Sequence, residues 1–221
     1  MVVYFDSGIA KYIIWLSILN FFLSFLSLFF GISMFFFYSI SFILIILIFY
    51  LFRADERKIF QNNGIIAYGD GDILDNYVLS PEIFGNNDDY NCLEIKSNFS
   101  NIYFKYAPVN GKIIDIIEFY GYEKKSFNYN INISKSNKYV GFQIQNEKDF
   151  FFILFEVLHI DKNYSMYKIY VEKNTDISQG DLIFCSHFYS KSYFFIDKKY
   201  SLLVHKGEKV LYKQTIIALL E

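Results

Sequence analysis

The first quarter of the chain is dominated by apolar side chains. From Tyr12 to Phe52 no residue carries a charge, and Phe, Leu, Ile and Ser make up most of the run. A bilayer core about 30 Å thick is crossed by roughly twenty helical residues, so this run is long enough for two crossings. Gly31 lies near its middle, and Gly is the poorest helix former after Pro. The pattern predicts two transmembrane helices, near 13–30 and 34–52, folded as a hairpin.

Positive charges flank this predicted hairpin. Lys11 precedes the first helix, and Arg53, Arg57 and Lys58 follow the second. Because Lys and Arg near the ends of a span favour the cytoplasmic side, we predict a membrane anchor over 1–58 with both ends inside the cell. The domain that follows would then lie on the cytoplasmic side of the cell (inner) membrane. The alternative is a cleaved signal peptide followed by one span, but signal-peptide apolar regions are shorter than this run.

Beyond the apolar run, short alternating segments are separated by turn residues. Residues 65–68 lead into the Gly-Asp-Gly-Asp sequence of 69–72, and Asp-Gly is a strong hairpin signal. Residues 102–106 alternate, and 150–158 are almost wholly apolar, which is typical of a buried strand. No stretch shows a helical period. The pattern therefore predicts a mostly β domain over 59–221.

The last fifty residues contain an internal repeat. Val, Lys, a turn residue and branched aliphatic residues recur in register between 171–183 and 204–216. Two such turn–strand units are expected of a small β-sandwich with internal pseudo-symmetry.

Charge and cysteine content exclude several function classes. The net charge is −2, so the chain has no basic field that would suggest nucleic-acid binding. Cys92 and Cys185 are too few for a disulfide framework and are compatible with a reducing cytoplasm. Asp70, Asp72 and Asp75 lie around a hairpin turn without the glycine spacing of a calcium loop, so we predict no metal site.

Two segments resemble the barrel-sandwich hybrid fold of lipoyl and biotinyl carriers and of membrane-fusion export adaptors. They are 108–113 and 206–210. A carrier needs a Lys in a Met-Lys-Met-like context at a hairpin tip, and the sequence has none. A carrier or adaptor domain is therefore kept as a minor alternative.

Four segments, in order, resemble the phosphatidylserine decarboxylase proenzymes of the short, membrane-hairpin type. In that family the corresponding motifs are Phe-Arg-Asp-Pro-x-Arg, Pro-Ala-Asp-Gly-Lys-Val, Arg-x-Pro-Val-x-Gly-Lys and Phe-Gly-Ser-Arg, the last being the self-cleavage site. The segments of this chain are 52–57, 68–73, 106–112 and 188–191. Their order and spacing fit the family over the full length, although no single motif is intact.

The resemblance implies a self-processing enzyme. Ser190 would attack the carbonyl of Tyr189 and cut the chain between the two residues, leaving a pyruvoyl group at the new N-terminus of fragment 190–221. That group would serve as the cofactor: it would condense with the serine amine of phosphatidylserine and accept electrons as carbon dioxide leaves. The product would be phosphatidylethanolamine. The expected partners are phosphatidylserine, membrane lipid and the cleaved fragment itself. Asp70 matches the family's catalytic Asp, and the alternative is an Asp that only shapes a hairpin turn.

The catalytic motifs also depart from the family pattern. Tyr103 stands where the family has its catalytic His, and a phenol with a pKa near 10 is a poor base at neutral pH. Tyr189 replaces the Gly before the cleavage Ser, and Lys191 replaces Arg. His187 could substitute as a base, although its odd offset from Ser190 places it on the opposite face of a strand. A non-catalytic, membrane-anchored homologue that does not cleave itself is therefore the second hypothesis, behind an active decarboxylase.

Overall fold

The computed structural model describes residues 14–23, 25, 34–51, 57, 64–86, 88–98, 103–122, 134, 136–147, 149–157, 167–186 and 190–220. The chain divides into two compact units, Met1–Glu56 and Arg57–Glu221. The first unit contains two helices, α1, described over 14–23, and α2, Met34–Leu51.

The predicted two-helix transmembrane hairpin is wrong. Within the part of the chain that the structure describes, no helix is both long and apolar enough to cross a bilayer. Helix α2 has 18 described residues. A charge-free run signals an apolar environment but does not fix how long each helix will be. The end of the predicted first helix, 26–30, lies outside the described residues.

The second unit is a β domain, which confirms the prediction of a mostly β chain after the apolar run. A short 3-10 helix, Glu82–Phe84, follows the second strand. The described strands are β1 (Ile65–Ile66), β2 (Gly71–Leu79), β3 (Tyr90–Ser97), β4 (Phe104–Tyr106), β5 (Gly111–Tyr120), β6 (Lys138–Asn146), β7 (Asp149–Val157), β8 (Tyr167–Ile169), β9 (Asp176–Ile177), β10 (Leu182–Ser186), β11 (Ser190–Asp197), β12 (Tyr200–Leu202), β13 (Lys209–Val210) and β14 (Ile216–Leu220).

Most of these strands belong to one eight-stranded antiparallel sheet with the order β13-β2-β3-β11-β7-β6-β5-β9. Two three-stranded sheets, β1-β14-β12 and β4-β10-β8, complete the domain. Strand β7 shows why the apolar run at 150–158 forms a central strand: Phe151, Ile153 and Phe155 enter one hydrophobic cluster, and Phe152 and Leu154 enter another. Because successive strand residues point to opposite faces, a strand buried on both faces must be apolar throughout.

The Asp-Gly turn at 69–72 does not close a hairpin, which corrects a second expectation. Strand β1 pairs with β14, whereas β2 pairs with β3 and β13. The turn connects β1, in a three-stranded sheet, to β2, in the eight-stranded sheet. Because Asp and Gly favour the turn itself, the dipeptide indicates a change of direction but not which strands will pair.

The two copies of the repeat form matching turn–strand units. The Asn174 N–H donates to the Ile113 carbonyl at 2.7 Å, and the Gly207 N–H donates to the Ile73 carbonyl at 2.8 Å. Both turn residues have positive φ, 67° for Asn174 and 88° for Gly207, which Asn and Gly tolerate best. Strand β9 thereby pairs with β5, and β13 with β2. The units form the two edges of the eight-stranded sheet rather than the separate barrel-sandwich expected from the sequence.

Candidate functional site

The candidate site is built around Asp70, in the turn between β1 and β2. Its side chain is buried, with the residue 5% exposed. The Arg57 guanidinium donates to both carboxylate oxygens, from Nη1 to Oδ1 at 2.6 Å and from Nη2 to Oδ2 at 3.1 Å. Oδ1 also accepts the backbone N–H of Tyr212 at 2.9 Å. A bidentate, charge-assisted pair of this kind fixes both the position and the orientation of a carboxylate.

A second turn in the molecule makes the same backbone contact as Asp70 but with an uncharged side chain. In the turn between β4 and β5, the Oδ1 atom of Asn110 accepts the backbone N–H of Gln179 at 2.7 Å. Gln179 and Tyr212 occupy equivalent positions of the repeat. The contact between Asp70 and the Tyr212 N–H is therefore one that a turn residue makes. Asn110 shows that this contact requires only an oxygen, and the carboxylate charge of Asp70 is used in its pair with Arg57.

Lys105, on β4, is a second cation close to the Asp70 turn. The residue is only 1% exposed. Its Nζ donates to Ser97 Oγ at 2.7 Å, and Ser97 Oγ in turn donates to the backbone carbonyl of Asp70 at 2.7 Å. A Cβ added to Gly69 would lie 2.8 Å from Lys105 Nζ, so the amine lies directly against the Gly69 backbone. The missing side chain of Gly69 makes room for a buried amine beside Asp70.

The surroundings of Lys105 change its acid–base behaviour. Burial lowers the pKa of the amine to about 8, while the negative charges of Asp70 and Cys185 oppose that shift. An unperturbed lysine titrates near 10.4. Burial disfavours the charged ammonium, and the nearby Asp70 carboxylate favours it. Lys105 therefore changes its charge closer to neutral pH than an ordinary lysine does.

Strand pairing brings the predicted cleavage position to the same place. Ser190, the first residue of β11, pairs with Ser97 in the antiparallel β11–β3 ladder. Directly opposite residues of such a ladder have Cβ atoms about 4.5–5.5 Å apart. The start of β11 therefore lies beside the hydroxyl that connects Lys105 to Asp70. Tyr189, the other residue of the predicted cleavage site, and His187, the possible substitute base, lie outside the described residues.

Tyr103 occupies a different position from the one expected of a catalytic base. It directly precedes β4, it is buried, and its carbonyl accepts the Ser186 N–H at 3.2 Å. Burial raises the pKa of the phenol, and the nearby charge of Cys185 adds to the effect. A phenol with a raised pKa is an even weaker base at neutral pH. Two residues further along the chain, Lys105 is the side chain that reaches Ser97.

Aromatic and cationic side chains complete the surroundings of Asp70. The rings of Tyr106 and Tyr212 stack with centroids 4.4 Å apart and an interplanar angle of 9°. Arg57 Cζ lies 4.7 Å from the centre of the Tyr212 ring, and Lys213 Nζ lies 4.8 Å from that of Tyr106. The face of an aromatic ring attracts a cation, so both contacts are favourable. Three cationic residues, Arg57, Lys105 and Lys213, therefore lie in the region of the Asp70 carboxylate.

The sequence contains one signal that would have found Lys105. Residues 103–107 are otherwise uncharged, and all five are buried in the structure. A lone charged residue within a short apolar strand of a β domain is rarely buried without a partner. The partner could not be found from the sequence, because Ser97 and Asp70 belong to other strands and turns.

Comparison with known proteins adds no assignment. No family model matches the chain, and no curated protein is significantly similar to it.

Proposed function

We propose that the protein is a self-cleaving, pyruvoyl-dependent decarboxylase that acts on the serine headgroup of phosphatidylserine. The observation that carries the proposal is the pairing of Ser190 with Ser97, whose hydroxyl bridges the Lys105 amine and the Asp70 carbonyl. Residues that resemble the family's cleavage Ser and catalytic Asp are far apart in sequence. The antiparallel ladder brings them to one end of the sheet.

Self-cleavage at this position requires only the chain itself and water. The Ser190 hydroxyl loses its proton and attacks the carbonyl carbon of Tyr189, and the C–N bond breaks as the new C–O bond forms. Elimination across Cα and Cβ of Ser190 then releases the Tyr189 carboxylate. Water hydrolyses the resulting enamine to a ketone and ammonia, so no outside oxidant is needed.

The charges around the site suit the substrate as well. A pyruvoyl group at residue 190 supplies an electron sink for decarboxylation. The chain's own residues would bind and orient the headgroup: Lys213 carries the positive charge that a carboxylate or phosphate requires. Arg57 holds Asp70 in one orientation through its two hydrogen bonds.

Intact mass spectrometry of the expressed full-length chain tests the proposal. We expect a cut between Tyr189 and Ser190, with fragment 190–221 carrying a blocked N-terminus. Vesicles that contain phosphatidylserine should then yield phosphatidylethanolamine and carbon dioxide. Ser190→Ala should abolish both outcomes. Ser201→Ala is the matched control, because the Ser201 hydroxyl makes only a 3.4 Å contact with the Leu219 carbonyl, within a different sheet.

The second candidate function is a homologue that does not cleave itself. The observation in its favour is the raised pKa of Tyr103, at the position of the family's His. A folded chain that keeps its full mass would support this candidate and contradict the decarboxylase proposal.

A further inference from the structure

We propose that the turn over residues 211–214 is a docking surface for anionic phospholipid, with Leu211 entering the headgroup layer and Lys213 binding a lipid phosphate. The choice of a lipid rests on the proposed function, because the substrate of that reaction is itself an anionic phospholipid. The surface does not depend on self-cleavage, so the two proposals can fail separately. The observation that carries the inference is the difference between this turn and the equivalent turn of the repeat.

The backbone makes the same turn at 178–181 and at 211–214. In the first turn, the Asp181 N–H donates to the Ser178 carbonyl at 2.9 Å. In the second, the Gln214 N–H donates to the Leu211 carbonyl at 3.1 Å. Because equivalent backbone groups are bonded in both copies of the repeat, the first turn serves as an internal reference for the second.

The third position of each turn has a positive φ. The angle is 87° at Gly180 and 61° at Lys213. The N–H of each residue donates to an alanine carbonyl, from Gly180 to Ala107 at 2.8 Å and from Lys213 to Ala67 at 3.3 Å. Gly adopts such angles freely, whereas a residue with a Cβ does so at a cost in stability. Lys213 therefore lies where the fold itself favours glycine, and residues held in this way are concentrated at functional sites.

The exposed side chains of the two turns differ in chemical character. The first position is Ser178 in one turn and Leu211 in the other, and Leu211 is 41% exposed. Acidic residues outnumber basic ones in 171–183, whereas basic residues outnumber acidic ones in 204–216. An exposed apolar side chain beside cations suits an anionic lipid surface, because the apolar group leaves water while the cations meet phosphates. Only the second copy of the repeat has this combination.

Two aspartates beside the 211–214 turn each lie next to a cation. Arg57 donates to both carboxylate oxygens of Asp70. Lys209 lies opposite Asp72 in the β13–β2 ladder, so the charge of Lys209 is partly offset. These carboxylates therefore do not repel an anionic partner strongly, and we assign the larger part of the attraction to Lys213.

The apolar residue distinguishes a lipid surface from other anionic partners. A free phosphate would need only the cation, and Leu211 would have no role in binding it. The first unit also exposes large apolar side chains on its helices, including Trp15 at 70% and Phe21 at 78%. Exposed apolar surface marks places where a protein meets lipid or another protein. A lipid surface accounts for the exposed apolar side chains and for the cations of the turn.

Site-specific fluorescence of the full chain in vesicles tests this surface. An environment-sensitive fluorophore is attached at Leu211→Cys or, as the matched control, at Ser178→Cys, because the natural cysteines Cys92 and Cys185 are buried. The vesicles contain phosphatidylcholine alone or an equal mixture with phosphatidylserine, and both carry brominated acyl chains that quench a nearby fluorophore. We expect strong quenching at 211 in the mixed vesicles, weak quenching there in phosphatidylcholine alone, and none at 178. Added salt should reduce the quenching, because it screens the charges.

Changes at Lys213, made in the chain labelled at 211, separate its charge from its place in the turn. Lys213→Gly introduces the residue of the equivalent position, so the urea midpoint of unfolding should not fall. The docking constant, measured as quenching against increasing phosphatidylserine content, should fall about fivefold, the effect expected of one Lys near an anionic surface. Lys213→Arg keeps the charge and should keep the docking constant. Lys173→Ala, which removes one positive charge from the other copy of the repeat, should also leave it unchanged.

Several outcomes would overturn the docking surface. They are equal quenching at 211 and 178, quenching at 211 that does not depend on phosphatidylserine, and a Lys213→Gly chain that docks as the wild type does. A spectral shift at 211 that grows with protein concentration without lipid would also overturn it, since it would show contact with a second copy. A chain that never cleaves, yet is quenched at 211 as expected, would contradict the decarboxylase proposal and support this one.

Discussion

Two turns of the same molecule accept an equivalent backbone N–H, one with a neutral amide and the other with a carboxylate. In the Asn110 turn, a neutral amide accepts the Gln179 N–H, and the Gln179 side chain donates to the carbonyls of Gly64 and Pro108 at 2.7 and 2.9 Å. In the Asp70 turn, a carboxylate accepts the equivalent Tyr212 N–H and binds a guanidinium. The neutral turn shows what the fold requires. The contacts that the Asp70 turn makes and the Asn110 turn lacks are therefore candidates for a functional role.

The largest difference between the two turns should appear when each acceptor is removed. Asp70→Ala leaves the Arg57 guanidinium without its carboxylate in a largely buried position, and breaking such a pair costs about 3–5 kcal/mol. Asn110→Ala removes one hydrogen bond, which costs about 1 kcal/mol. Urea unfolding of both variants, followed by circular dichroism, measures the two losses. Equal losses would mean that the Asp70 charge has no special role in stability.

A smaller effect should distinguish the buried amine beside Asp70 from ordinary lysines. Lys105 has a pKa of about 8 in the folded protein and about 10.4 when unfolded. Between these values the unfolded chain binds more protons than the folded one, so the contribution of Lys105 to stability increases with pH. From pH 8 to pH 10 the wild type should gain up to about 2 kcal/mol relative to Lys105→Met, at 1.36 kcal/mol for each pKa unit.

The urea midpoints of the two proteins, measured at several pH values, give this difference. Tyrosine and cysteine side chains also titrate in this range, but they are present in both proteins and largely cancel. A difference that does not change with pH would contradict the lowered pKa of Lys105.

The smallest effects are expected where the two turn–strand units are most alike. Lys206 pairs with Asp75 at 2.7 Å, and Lys173 pairs with Asp115 at 2.8 Å, at equivalent positions on the surface. Exposed pairs of this kind contribute little, because water and salt screen them. Lys206→Ala and Lys173→Ala should both leave the unfolding midpoint and the cleavage rate unchanged within error. A clear loss of cleavage in either variant would extend the site to the outer turns.

The sequence predicted the parts of this fold that depend on local pattern. The mostly β domain, the apolar strand within 150–158 and the repeat over 171–183 and 204–216 follow from periodicity and turn residues. The two-helix transmembrane hairpin was wrong, because the absence of charge does not determine helix length. The hairpin expected at 69–72 was also wrong, because turn residues do not choose the partner strands.

The candidate site was only partly predictable for the same reason. Asp70 and Ser190 were found through their resemblance to family motifs. Lys105 was missed because its neighbours, Gly69 and Ser97, are brought to it by the pairing of other strands. The family resemblance directed attention to Tyr103, two residues earlier, because a resemblance compares positions in the sequence and not the neighbours that the fold brings to each side chain.

The central position of β11 has a consequence for the protein after a cut. Fragment 190–221 would contribute β11, between β3 and β7, together with β12, β13 and β14 in two sheets. The cut would therefore leave two polypeptides held together by shared sheets, with no free domain to release. Once such a protein unfolds, reassembly becomes bimolecular and depends on concentration, whereas the uncut chain refolds alone. The mature form would thus be a two-chain complex that is assembled once, from a single precursor.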